Sequence, residues 1–209
     1  MAVEIKWISH ASFRIESDRE VLYIDPWKLP ESPKDADIVF VSHSHHDHCS
    51  PEDVEKVVKD GTVVVAPGET VSALQGAEVI ELGDQITVKS ITIEAVAAYN
   101  IGKKFHPKAN RWCGAVVSIG GKRIYYAGDT DLIPEMTDLS DIDVALLPVG
   151  GTYTLDAEEA SKACKQIGCR AAIPYHWGDI VGSSSDAAAF ASHAGCEVYV
   201  LQPGQSVMV

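Results

Sequence analysis

Four of the chain's eight histidines stand in one short string, His43-Ser44-His45-His46-Asp47-His48. Imidazole nitrogens beside a carboxylate form a donor set for zinc, and also for iron, manganese or nickel, at bond lengths of roughly 2.0–2.2 Å. His43 and His45, two positions apart, can reach one ion, and Asp47 and His48 emerge beside them toward a second. Without a metal, so many neighbouring imidazoles would be costly to desolvate. Asp129 and His176 each follow an apolar run, where a buried charge needs a partner. Asp25 closes the apolar run 21–24, placed to orient a ligating histidine, and His10 is placed to line the same pocket.

Such donors converge only if rigid strands present them on neighbouring loops. Residues 3–8, 12–16 and 21–24 read as strands, and 38–42 (IVFVS) reads as a fully buried one. Residues 51–59 read as a helix capped by Ser50, with Pro51 at its first position, so the histidine string lies on a strand-to-helix loop. Further strands are expected at 62–66, 79–81, 85–88 and 91–97, and at 115–119 and 123–127 around the hairpin signal Gly120-Gly121. Strand 144–147 precedes a helix over 156–167, opened by a capping box of Asp156 and Glu159. Strand 171–174, a helix near 185–193 and strand 197–201 complete the chain. Strands dominate the first half and alternate with helices in the second, which implies an α/β protein with mixed sheets and outer helices.

The string His43-x-His45-x-Asp47-His48 resembles the H-x-H-x-D-H signature of the metallo-β-lactamase superfamily. Tyr126-Ala127-Gly128-Asp129-Thr130 resembles its Gly-Asp motif, which implies that Asp129 bridges two metals. Pro174-Tyr175-His176-Trp177-Gly178 places His176 like the final ligand of the second metal. The segments Trp7-Ile8-Ser9-His10-Ala11-Ser12-Phe13 and Ile24-Asp25-Pro26 are similar to the branch of ascorbate-6-phosphate lactonase-like and N-acyl-phosphatidylethanolamine phospholipase D-like proteins. The resemblance spans nearly the whole chain. It implies an αβ/βα sandwich of two mixed sheets with helices outside, as one hydrolase domain over residues 1–209, with the metals at one edge. One position departs from the pattern. Asn100 stands where the superfamily usually places a third histidine on the first metal, and His106 follows six residues later. Either side chain, or water, is left to complete that position.

His106 sits in a basic loop with Lys103, Lys104, Lys108 and Arg111. Cations beside a metal site can clamp phosphate or carboxylate, so Lys104, Lys108 and Arg111 are expected to contact substrate, with Trp177 among the aromatic walls. The rest of the chain is acidic: 30 Asp and Glu against 17 Lys and Arg give a net charge of −13, which disfavours nucleic acid as a partner. A chain of 209 residues with 46% apolar residues can bury a single core without staples. No apolar run approaches the roughly 20 residues that cross a bilayer, and the N-terminus lacks the pattern of a secretory signal. Five scattered cysteines are expected to be reduced, and the location cytoplasmic.

These readings converge on a metal-dependent hydrolase with one or two ions, zinc first and Mn2+, Fe2+ or Ni2+ as substitutes. Its expected substrate is a small anionic ester, lactone or phosphodiester. Asp47 would orient the attacking water and accept its proton, and His176 would hold the second ion. The alternative is a metal-binding or sensing protein of the same fold without turnover. The composition is compatible with a homo-oligomer.

Overall fold

The computed structural model describes residues 2–18 and 20–209. The first sheet takes β1 (Glu4–Ser9), β2 (Ser12–Ser17), β3 (Glu20–Ile24), β4 (Ala36–Phe40), β5 (Val58–Ala66) and β6 (Glu78–Val79), with α1 (Pro51–Val57) between β4 and β5. The second takes β7 (Gln85–Val88), β8 (Ile91–Ala97), β9 (Cys113–Ile119), β10 (Lys122–Tyr126), β11 (Val144–Pro148), β12 (Ala171–Tyr175) and β13 (Glu197–Val198). Helix α2 (Ala157–Ile167) precedes β12 and α3 (Ser184–His193) precedes β13. The final strand, β14 (Ser206–Met208), returns to the first sheet beside β1. The orders are β14-β1-β2-β3-β4-β5-β6 and β13-β12-β11-β10-β9-β8-β7, each mixing parallel and antiparallel pairs. This is the expected sandwich of two mixed sheets with outer helices.

Alternation within the strands explains the layers. Leu22, Ile24, Ile38 and Phe40 belong to the core shared with Ile93, Tyr126, Leu146 and Tyr175 of the other sheet. Their neighbours Val21, Tyr23, Val39 and Val41 pack the opposite way, onto Val54 and Val57 of α1. Strands buried on both faces read as unbroken apolar runs, as in 38–41. Each large side chain removed from water in this way contributes about 1.5–3 kcal/mol before entropy is counted.

Local signals held where the backbone chemistry is strong. Ser50 accepts from the Asp53 amide at the start of α1, and Asp156 and Glu159 form the reciprocal capping box on α2. Gly120 and Gly121 both have positive φ (59° and 81°) in the two-residue turn joining β9 to β10. Three boundaries differ from expectation. The helix expected over 51–59 ends at Val57, because Val58 is extended and pairs with Ala36, so β5 begins there. The strand expected at 197–201 is limited to Glu197–Val198. β14 was not expected; its short polar sequence carries no strand pattern and is recruited by pairing with Glu4, Ile5 and Lys6. No helix among the described residues is long and apolar enough to cross a membrane.

Candidate metal centre

The chemistry-bearing residues lie just past strand ends on one edge of the sandwich. His10 follows β1, Asp25 follows β3, the histidine string follows β4, Asn100 and His106 follow β8, Asp129 follows β10 and His176 follows β12. Three of them, His10, Asp25 and His176, have positive φ (39°, 43° and 62°), a costly backbone for residues other than glycine. Backbone contacts hold that geometry: His176 N–H donates to the His10 carbonyl, and Asp25 N–H to Phe40. Gly150 is required beside them, since a Cβ there would lie 2.4 Å from the His176 carbonyl oxygen.

The donors fall into two groups. His43, His45 and His106 bring one ring nitrogen each within 4.8 Å of the others, and so do His10, His48 and His176 with an Asp47 oxygen. Asp129 stands between the groups. Its Oδ2 is 3.1 Å from His106 Nε2 and 3.2 Å from His176 Nε2, and its Oδ1 is 3.3 Å from His48 Nε2. Yet these three ring nitrogens, and Asp129 Oδ1, are buried and lack any hydrogen bond of proper geometry. Leaving one such atom unpaired costs about 1–3 kcal/mol, so four converging on one place point to a cation that satisfies them together. The donor set of neutral imidazoles and carboxylates fits a divalent metal.

The outer nitrogens are held by fixed partners. His48 Nδ1 donates to Asp25 Oδ2 at 2.6 Å, His43 Nδ1 to Ser42 Oγ at 2.9 Å, and His106 Nδ1 to Asn100 Oδ1 at 3.0 Å. Each pairing leaves the opposite nitrogen as a lone pair facing the centre. Asp25 also accepts from the Ser42 amide (2.7 Å), the Ser42 hydroxyl (2.5 Å) and the Tyr126 hydroxyl (2.6 Å). Asn100 is thus committed: its oxygen receives both His106 N–H groups and its amide donates to Asp131 and the Tyr153 carbonyl. Of the two side chains left open at the third position of the first group, the structure brings His106 there. Trp112 packs tilted against His43 (4.9 Å) and edge-on against His45 (4.8 Å) and His106 (5.6 Å).

Electrostatics follow this arrangement. Burial drives His43 well below the usual imidazole range, assisted by repulsion from His48, and lowers His45 and His10 as well. Burial alone would raise the carboxyls of Asp129 and Asp47; facing histidines hold both below the usual range instead. Burial likewise opposes charge on His48, but Asp129 and Asp25 carry it well above the usual range. His10 Nε2 lies 3.1 Å from Asp47 Oδ2 and fixes that carboxylate.

The family profile described as "Beta-lactamase superfamily domain" matches residues 4–176. The chain belongs to that superfamily. A metal-dependent hydrolase of the UPF0173 group from Pyrococcus abyssi is 32% identical over 225 residues, covering 98% of this chain and 99% of the relative. A second, from Symbiobacterium thermophilum, is also 32% identical over 225 residues, with the same coverage. Among solved structures, the metallo hydrolase Igni18 of Ignicoccus hospitalis superimposes with a TM-score of 0.81 and 26% identity, covering 100% of this chain and 99% of that one. The protein is a metal-dependent hydrolase of that superfamily.

Not every expected residue reaches the hydrolase's cleft. Lys108 pairs with Glu135 at 2.7 Å and Arg111 with Glu81 at 2.9 Å, both exposed on the surface. Lys103 is held by Asp131 and the Thr154 carbonyl. Lys104 is exposed and makes no ion pair among the described residues. The anion cradle expected from these cations is therefore not assembled, because acidic neighbours that the linear sequence does not reveal claim three of them. Trp177 is also displaced from the expected wall. It is 5% exposed, packs 5.0 Å from Trp7 and donates its indole N–H to the Pro174 carbonyl, which makes it part of the core. The cleft above the donors has a volume of 280 Å³, and its walls are Phe105, Tyr153 and Ile180 beside His46. Phe105 and Ile180 are 46% and 42% exposed. Sequence reading missed Ser42, Asn100 as a support for His106, and Tyr153 and Ile180, which join Phe105 in the wall from separate loops.

Proposed function

We propose that the chain is a zinc hydrolase of a small ester, lactone or phosphodiester that carries an apolar group. The observation that carries this reading is the set of orphaned donors around Asp129 at the floor of a cleft with an apolar wall. His43, His45 and His106 would hold one ion and His48, His176 and Asp47 a second, with Asp129 shared. Imidazole with carboxylate favours zinc among the abundant divalent metals. A bound metal of this kind supplies Lewis acidity, polarising a carbonyl or phosphoryl oxygen and acidifying water.

The chain's own residues do the rest. Asp47, ionised and fixed by His10, faces the cleft and takes the proton of the attacking water. Phe105 and Tyr153, with ring centroids 4.6 Å apart, and Ile180 seat the apolar group and exclude water from that side. The small volume restricts the substrate to a compact molecule. Negative charge on a substrate would be met by the centre itself. The reading includes a single domain over residues 1–209, whose two sheets share one core, and a reducing, cytoplasmic setting for its five cysteines.

The test is a screen of chromogenic esters, thioesters, lactones and phosphodiesters, each with a small and an aryl group, on chelated and zinc-reloaded enzyme. Turnover should require the metal and favour the aryl member. Phe105→Ala should raise KM for aryl substrates by about tenfold, the worth of some 50–60 Å² of apolar contact. An equal loss on small and aryl substrates would refute the apolar seat.

A further inference from the structure

Three of the five cysteines converge far from the histidine centre. Cys164 lies in the last turns of α2, Cys169 follows its Gly168 cap, and Cys196 follows α3. The sulfur of Cys164 is 3.1 Å from that of Cys169 and 3.0 Å from that of Cys196, and the last two are 4.0 Å apart. Cys169 precedes β12 whereas His176 follows it, so the length of a five-residue strand, about 16 Å, separates the two clusters.

We propose that Cys164, Cys169 and Cys196 form a second metal site, for one thiophilic cation of the Zn2+ class held by three thiolates. An ion can reach all three sulfurs. The circumcentre lies about 2.0 Å from each, so an ion about 1.1 Å above the plane is about 2.3 Å from all three, the zinc–thiolate length, and a shift of Cys164 by under about 1 Å opens its two narrow S–metal–S angles toward tetrahedral. A disulfide would use two of the sulfurs and strand the third, whereas one ion uses all three. Cys196 is only part-buried, which provides an access route and a fourth position open to water or an external ligand. The Lys165 side chain runs past Gly195, beside the cluster, and offsets its residual negative charge. In the metal-free protein the contact with Cys169, then burial, pushes the Cys164 thiol up, and burial pushes Cys196 up to about 12, so these two thiols keep their protons until a cation displaces them.

The experiment adds Cd2+ to the enzyme with its histidine centre already loaded and reads the thiolate-to-cadmium charge-transfer band in the ultraviolet. Histidine and carboxylate ligands give no such band. One equivalent should saturate it, zinc should compete it away, and protons should be released as it forms. Cys164→Ser should abolish the band, the part-exposed Cys196→Ser should weaken cadmium binding by about tenfold or more, and a Cys49→Ser/Cys113→Ser variant should leave it unchanged. Absence of the band in the intact reduced protein would overturn the proposal. So would its survival in the triple Cys164→Ser/Cys169→Ser/Cys196→Ser variant, or a Cys164 disulfide in freshly purified enzyme, seen as a mass lower by two hydrogens.

Discussion

Replacing Asp25 by asparagine tests how the centre is held. Asp25 is fully buried, and its Oδ2 receives three donors at once: His48 Nδ1, the Ser42 hydroxyl and the Tyr126 hydroxyl. Its Oδ1 receives the Ser42 amide at 2.7 Å, so the asparagine carbonyl must stay there. The new NH2 then faces those three donors. The two hydroxyls can rotate away, but the imidazole cannot. It must shift its proton to Nε2, the nitrogen 3.3 Å from Asp129 that faces the centre. A ligand histidine in the wrong tautomer has no lone pair to offer. Loss of such a supporting partner costs about 10–100-fold in metal affinity, or about 1.4–2.7 kcal/mol. Competition against a chromogenic chelator should show one ion released that much more readily, while the ion of His43, His45 and His106 is affected far less. A circular-dichroism melt checks that the variant folds. If a folded Asp25→Asn protein keeps both ions at parental affinity, the tautomer argument fails.

The third ligand of the first group gives a paired prediction: His106→Ala should remove one ion outright, whereas Asn100→Ala should weaken the same ion by about 10–100-fold, because asparagine acts by orienting His106. Metal analysis after dialysis separates the two. The loop cations should matter little: Lys108→Ala and Arg111→Ala each lose an exposed pair worth at most about 1 kcal/mol, and kcat/KM on anionic substrates should stay within about twofold. A tenfold drop would restore the anion cradle. Asp37 gives a pH test. Burial alone would raise its carboxyl, but Lys59 at 2.8 Å and Lys89 at 2.7 Å hold it below the usual range. A depressed carboxyl stabilises the fold above its unfolded pKa, near 3.9, and ceases to do so as pH falls through the lower folded value. Urea unfolding should therefore show Asp37→Asn less stable by about 1.5–3 kcal/mol at pH 7, with the gap closing below about pH 4. A gap independent of pH would contradict the charged pairing.

The cluster of candidate metal donors was largely legible in the chain because they are rare residue types at fixed short spacings and at the ends of apolar runs. His43, His45, Asp47 and His48 needed only one loop to be placed. Asp25 was legible for the same reason, as a carboxylate closing an apolar strand. The position after β8 was not, because the backbone turns between Asn100 and His106, where the Asn100 backbone N–H donates to the His106 carbonyl at 2.7 Å. That turn alone decides which side chain joins His43 and His45. The basic loop misled for a different cause. Its cations are crowded in sequence, but Glu81, Asp131 and Glu135, which neutralise them, come from other elements. Long-range pairing of this kind leaves no local pattern. The cysteines show the same limit: a five-residue and a 27-residue separation suggest no site until α2 and α3 pack side by side.

Anomalous scattering from crystals of enzyme purified without added metal, collected on both sides of the zinc edge, tests the central claim most directly. The account predicts two peaks flanking Asp129, one among His43, His45 and His106 and the other among Asp47, His48 and His176. Peaks that avoid Asp129, or an empty centre in fully active enzyme, would contradict it.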